Sequence, residues 1–193
     1  MPRWEPSAKD RLREAALALF LDRGFENVTV TDITDHAGLT RRTFSRYFAD
    51  KRDVLFAGSD RLPEVVSKAV RGVDAGLGPA EALLAGLADT GAILAKHVPR
   101  SPERRRIVAG SPELQERERT KLAAVADSLT EALTARGATD TAARLLADVG
   151  IAVLRAAFAR WTEEPDGADF PVYVHQAAAE LTEALQPIAG QRS

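Results

Sequence analysis

The stretch that decides the fold is Thr29–Leu55, TVTDITDHAGLTRRTFSRYFADKRDVL. Thr29 is a helix N-cap residue type, and Asp32 lies in the first turn that it would open, where an acid suits both the cap and the helix dipole. Val30, Ile33 and Ala37 fall on one side of that short helix, and Gly38 ends it. Leu39 plugs the core. Thr40 caps a second helix, which Phe48 closes. Two short helices joined by the tight turn Ala37-Gly38-Leu39-Thr40 make a helix-turn-helix. Asp50-Lys51-Arg52-Asp53 then starts a further helix, with Asp50 as its cap.

Upstream, Ser7–Arg23 reads as a helix with Leu12, Ala16, Leu19 and Phe20 on one face, Ser7 as N-cap and Gly24 where a left-handed residue ends it. Residues 7–48 are therefore three short helices. Downstream, Gly72–Pro79 is a loop, and a helix over about 80–97 ends at Val98-Pro99-Arg100-Ser101-Pro102. A short basic helix over 103–109 follows. Ser111-Pro112-Glu113 opens a longer helix carrying Leu114, Leu122, Val125, Leu129 and Leu133, which stops at Gly137. The helix over 140–161 has two apolar stripes, Leu146, Val149, Val153, Ala157 and Ile151, Leu154, Phe158, Trp161; a helix apolar on two sides is buried on two sides, and the second is expected to meet another subunit. After a Glu163–Asp169 loop, Pro171–Gln186 carries Val174, Ala178, Leu181 and Leu185, and Gly190–Ser193 is expected to fray. Strand signals are scarce. The expected fold is all-α: an N-terminal three-helix helix-turn-helix domain over residues 1–53, and a C-terminal helical ligand-binding and dimerisation domain over residues 54–193.

Composition narrows the function. A chain of 193 residues makes one domain or two small ones. Without cysteine there is no disulfide, zinc-thiolate site or thiol nucleophile, and His36, His97 and His175 are too far apart in sequence for a compact metal site. No apolar run approaches the ~18 residues of a membrane span, and the N-terminus does not read as a signal peptide. The expectation is a cytoplasmic protein with no cofactor and no membrane partner. The net charge of −2 argues against nucleic acid until it is divided along the chain. Residues 1–53 carry 10 basic and 9 acidic side chains, and Thr40–Arg52 sets Arg41, Arg42, Arg46, Lys51 and Arg52 against Asp50 alone. A local basic patch suffices, because charges are screened beyond about 8 Å at physiological salt.

These residues resemble the N-terminal DNA-binding domain of the tetracycline-repressor (TetR/AcrR) family of transcriptional regulators. The matching pieces are Ala15-Ala16, Leu19-Phe20, Gly24-Phe25, Thr29-Val30-x-Asp32-Ile33, Ala37-Gly38-Leu39-Thr40, Thr43-Phe44, Tyr47-Phe48 and Lys51-x-Asp53-x-Leu55. The resemblance implies a homodimer on palindromic double-stranded operator DNA, released by a small lipophilic or acyl-type effector. It implies phosphate contacts from Tyr47 and Lys51, with Thr29 another candidate. Thr40 and the start of its helix can meet a phosphate, and Arg41 and Arg42 stand where arginine can pair with guanine edges. Thr43, Ser45 and Arg46 complete the candidate DNA set. The family often has glycine at the position of Arg42 and an aromatic at that of Ser45, so a different operator is expected.

Competing readings follow from the same residues. Phe44 and Phe48 are expected to be core with Leu39 and Ile33 rather than DNA-facing, His36 exposed, and Trp161 packing. Arg100, Arg104, Arg105 and Arg106 are a second basic cluster, either a solvated face or an anionic-effector site. Leu87, Ile93, Leu122, Val125, Leu154 and Phe158 are candidate effector walls. Arg155 snorkels, pairs with an acid across an interface, or anchors an effector carboxylate. No nucleophile-elbow, phosphate-loop or zinc-protease motif is present, so an enzyme is not expected. A constitutive regulator or activator without a ligand switch, and a helical protein–protein adaptor, are the alternatives to a ligand-responsive repressor.

Overall fold

The computed structural model describes residues 7–56, 59–95, 102–164 and 167–189. Among them are ten α-helices and no strand: α1 Ala8–Arg23, α2 Val30–Ala37, α3 Arg41–Tyr47, α4 Asp53–Phe56, α5 Leu62–Gly72, α6 Pro79–Ala95, α7 Pro102–Ala109, α8 Pro112–Ala135, α9 Asp140–Glu163 and α10 Phe170–Ala189. Short 3-10 turns lie at Phe25–Asn27 and Ser59–Arg61. The all-α expectation holds. The Val98–Ser101 break, His97, Arg100 and the fraying of Gly190–Ser193 fall outside the described residues.

The chain forms two compact units. The first holds the described residues up to Asp60 together with Pro102–Thr120, and so takes in α1–α4, α7 and the first turns of α8. Its core packs Leu12, Ala16, Phe20, Phe25, Ile33, Phe44 and Phe48 against Val54, Leu55, Phe56, Ile107, Val108 and Leu114. This compact unit runs past the boundary expected at 53/54, to Asp60, and takes in Pro102–Thr120 as well. Three short helices leave an apolar side open, and α4, α7 and the start of α8 close it. Polar links repeat the fastening. Ser111 Oγ donates to Glu26 Oε1 at 2.9 Å, and Arg52 pairs with Glu113 at 2.9 Å. The Arg104 side chain, 17% exposed, donates from Nε to the Leu55 carbonyl at 2.8 Å, lies over the Phe56 ring, and pairs with Glu118 at 3.6 Å. Arg104 thus leaves the second basic cluster to serve as a strut, while Arg105 and Arg106 stay exposed.

The second unit comprises α5, α6, the remainder of α8, α9 and α10. Its core includes Val70, Leu83, Leu87, Leu129, Leu133, Val153, Leu154, Ala157 and Val174. Phe158, Trp161 and Phe170 form an aromatic cluster with ring centroids 5.7–6.4 Å apart. Trp161 is packing, as expected. Gly91 lets α6 meet the Phe170 ring, since a Cβ there would lie 1.8 Å from Phe170 Cδ1. Arg136 closes the α5–α6 loop, donating to the carbonyls of Val73, Asp74 and Leu77.

The two stripes expected on α9 are placed differently. Val153, Ala157, Leu154 and Trp161 are buried in one core, and Leu146, Ile151 and Phe158 pack at its edge. Only Val149 of the two stripes turns outward. The outward apolar face is offset, running Leu145, Val149, Ala152, Ala156. The reason is helical geometry: two stripes about 100° apart can both reach one core when neighbouring helices wrap the helix.

Truncating Leu114, fully buried in the first core, tests the unit boundary. Leu114→Ala should cost about 2–5 kcal/mol and raise amide exchange throughout α1–α3. Unchanged protection in α1–α3 would return the boundary to residue 53.

Candidate nucleic-acid interface

The interface is built on α2 and α3. At the start of α2, Thr29 and Asp32 form a reciprocal capping box: the Thr29 amide donates to Asp32 Oδ2 at 2.8 Å, and the Asp32 amide to Thr29 Oγ1 at 3.2 Å. The Thr29 hydroxyl bond, with its amide bond, holds the Asp32 carboxyl below the usual carboxylate range. Gly38 ends α2 in left-handed backbone, φ 63° and ψ 38°, and the Leu39 amide donates back to the Thr34 carbonyl at 2.9 Å. Thr40 then caps α3, accepting from the Thr43 amide at 3.2 Å. Phe44 and Phe48 are buried with ring centroids 5.4 Å apart, so α3 faces inward with its aromatics, as expected.

What remains outward is polar. Arg41, Arg42, Ser45 and Arg46 are exposed, and Thr43 and Tyr47 are half-buried. Neither Arg41 nor Arg42 has a hydrogen-bonding or ionic partner among the described residues. Arg46 is committed locally: Nη2 donates to the Tyr47 hydroxyl at 2.6 Å, and the guanidinium lies 4.6 Å from the Tyr47 ring centroid. His36 is exposed at the end of α2. The hydroxyls of Thr29 and Thr40 are both engaged as caps. Lys51 points inward, its Nζ donating to the carbonyls of Phe25 at 2.8 Å and Val28 at 3.0 Å.

Arg52, inside the same basic run, is neutralised by Asp50 at 2.6 Å and by Glu113. Burial pushes the Asp50 carboxyl up, but the Arg52 hydrogen bond, the Asp53 amide and the charges of Arg52 and Arg117 outweigh it and leave the group below its ordinary value. Asp50 also caps α4, accepting from the Asp53 amide at 2.8 Å. Sequence reading missed Arg11. Its Nη2 donates to the Ala37 carbonyl at 2.5 Å, from α1 onto the end of α2. Only the 26-residue separation hid it; nothing in the local pattern marks the pair.

Of the candidate effector walls, Leu87, Val125, Leu154 and Phe158 meet in the core cluster of the second unit. Ile93, Leu122 and Arg155 do not join it. Ile93 and Arg155 are exposed, and Leu122 is half-buried. Their spacing put them on helices of that core, but on other faces.

Residues 12–57 match the family model of the bacterial regulatory proteins of the tetR family, and residues 77–186 match the MftR C-terminal domain. The second match alone covers more than half of the chain. The chain belongs to the TetR family. This TetR-family chain is 35% identical over 75 residues to the regulator TcmR of Streptomyces glaucescens, a stretch that is 39% of this chain and 33% of TcmR. It is 29% identical over 104 residues to MftR of Mycobacterium tuberculosis, named as a mycofactocin biosynthesis regulator, covering 54% of this chain and 52% of MftR. The matches span a third to about half of these curated relatives. The fold is that of the fatty acid degradation regulator FadR of Bacillus halodurans, with TM-score 0.55 at 16% identity over 95% of this chain and 99% of FadR.

The depressed Asp32 and Asp50 carboxyls make an acid-side prediction. Their stabilisation is full above the unfolded value of ~3.9 and drains as pH falls through the lower folded values. Asp50→Asn should therefore lower the denaturant midpoint at neutral pH and flatten the loss of stability on acidification. An acid limb as steep as wild type would remove Asp50 from this role.

Proposed function

We propose that this protein is a homodimeric transcriptional repressor that binds a palindromic operator through α3 and leaves it when a small lipophilic effector occupies the second unit. The observation that carries this reading is the pair of exposed guanidinia of Arg41 and Arg42 at the first positions of α3, which have no hydrogen-bonding or ionic partner among the described residues. Two arginines side by side without counter-ions are stable in water but gain more against a polyanion. At the start of a recognition helix in the major groove they reach base edges, where one bidentate guanine contact contributes about 1–3 kcal/mol of discrimination. Thr40, Thr43, Ser45, Arg46 and Tyr47 flank them as backbone or base contacts, and Thr29 stands at the α2 start. Family membership supports DNA as the partner, and supports a cytoplasmic location with it.

The dimer rests on the outward faces of the last two helices. Leu145 and Val149 on α9 are 63% and 37% exposed, and Val172 and Leu185 on α10 are 42% and 48% exposed. Ala152 and Ala156 continue the α9 face with side chains small enough for close helix approach. Two copies joined there as an intermolecular four-helix bundle bury this surface, and a two-fold partner matches a palindromic operator. The effector would seat against the apolar cluster of Leu87, Val125, Leu154 and Phe158. It releases DNA by linkage if it binds the DNA-free arrangement better than the DNA-bound one.

Sheared genomic DNA mixed with the purified protein at near-physiological salt, then recovered and sequenced, should yield a few sites sharing a palindrome. Arg41→Ala should lose selectivity at one base pair per half-site by about 1–3 kcal/mol. Uniform loss on all sequences would make Arg41 a phosphate contact instead. Val149→Glu should give a monomer by sedimentation with the fold intact, and lose the palindrome before non-specific DNA; a stable dimer would move the interface elsewhere.

A further inference from the structure

Lys51 is the last base of the run that reads as a DNA patch, yet its ammonium is used up inside the molecule. Nζ donates to Phe25 O at 2.8 Å, Val28 O at 3.0 Å and Glu26 O at 3.4 Å, and lies 4.2 Å from the Phe25 ring centroid. An ammonium has three protons, and three carbonyls take them. Those carbonyls belong to the 3-10 turn Phe25–Asn27 and its cap Val28, the segment that delivers Thr29 to the start of α2. We infer that Lys51 is a positioning residue: it ties the segment before α4 to the turn before α2 and so fixes where α2 begins, rather than closing on a DNA phosphate.

Three features support the assignment. A phosphate contact would require the ammonium to give up bonds already made to the part-buried carbonyls of Phe25 and Val28, whose loss leaves acceptors without donors. The π face of Phe25 adds a favourable cation site at the same place. At the far end of α2, Arg11 bonds Ala37 O at 2.5 Å, so the turn that leads into this eight-residue helix and the last residue of the helix are both held by cations from distant sequence. The Lys51 site needs a point cation. Three acceptors converge on one nitrogen, and the planar fork of arginine cannot direct its donors in that way.

The inference rests on the DNA-binding reading only in its DNA arm, and the test separates the two. Full-length Lys51→Arg and Lys51→Met are compared with wild type. In the free proteins, the Ile33 amide, which donates to Thr29 O at 3.2 Å, should exchange faster in both variants while α9 keeps its protection. With sheared duplex DNA, both variants should bind more weakly by a similar factor, with the slope of log K on log salt unchanged. Loss of one phosphate contact would instead lower that slope by about 0.9. In the wild type, the Lys51 ammonium nitrogen signal should keep its position when DNA is added, a readout that needs no variant to fold. Wild-type affinity and Ile33 protection in Lys51→Arg, a slope reduced by about 0.9 in Lys51→Met, or a DNA-shifted ammonium signal would each overturn the assignment. Loss of protection throughout the first unit would overturn it too, making Lys51 a general structural residue. If wild-type protein does not bind the DNA at all, the functional reading fails while the exchange experiment still decides the role of Lys51.

Discussion

The turn between α2 and α3 is the constraint on which the rest of the first unit depends. Gly38 sits at φ 63°, and a Cβ there would also meet Arg11 Nη2 at 3.2 Å. Glycine therefore serves twice, supplying left-handed backbone and leaving room for the guanidinium that closes the end of α2. With the turn fixed, the Leu39 amide folds back onto Thr34 and Thr40 caps the next helix. α3 then has no freedom of roll: Phe44 and Phe48 go into the core, and Arg41, Arg42 and Ser45 go out.

The first unit spends its cations unequally. Arg52, Arg104, Lys51 and Arg11 are drawn into ion pairs, carbonyl clusters and aromatic faces. Arg41 and Arg42 have no such partner among the described residues. Cations bonded within the unit in this way hold the short helices where propensity alone would not, since helices this short are marginal in isolation. The division also bears on how a chain with net charge −2 can present a basic face: Asp50, Glu113 and Glu118 pair with Arg52 and Arg104 and with neither Arg41 nor Arg42.

Local signals were legible in the sequence. Caps at Ser7, Thr29 and Thr40, positive φ at Gly24, Gly38 and Gly137, and the proline-marked start at Pro112 all act within a few residues. Periodicity placed Phe44, Phe48 and Ile33 in the core for the same reason: a helix face is set by spacing. The helix-turn-helix and the exposed pair Arg41 and Arg42 are therefore determined by the sequence itself.

The tertiary structure decided everything that needed a partner from far along the chain. Whether a lysine faces solvent or three carbonyls depends on where the turn 23–26 residues earlier comes to rest, and no local pattern encodes that. The same holds for Arg104, for Leu114 as core of the first unit, and for which side of α9 remains bare. Apolar spacing says that a face is buried without saying against what. Sequence fixes the faces of helices through short-range geometry, while the pairing of those faces, and the choice of which charges are internal, is settled only when all the helices pack.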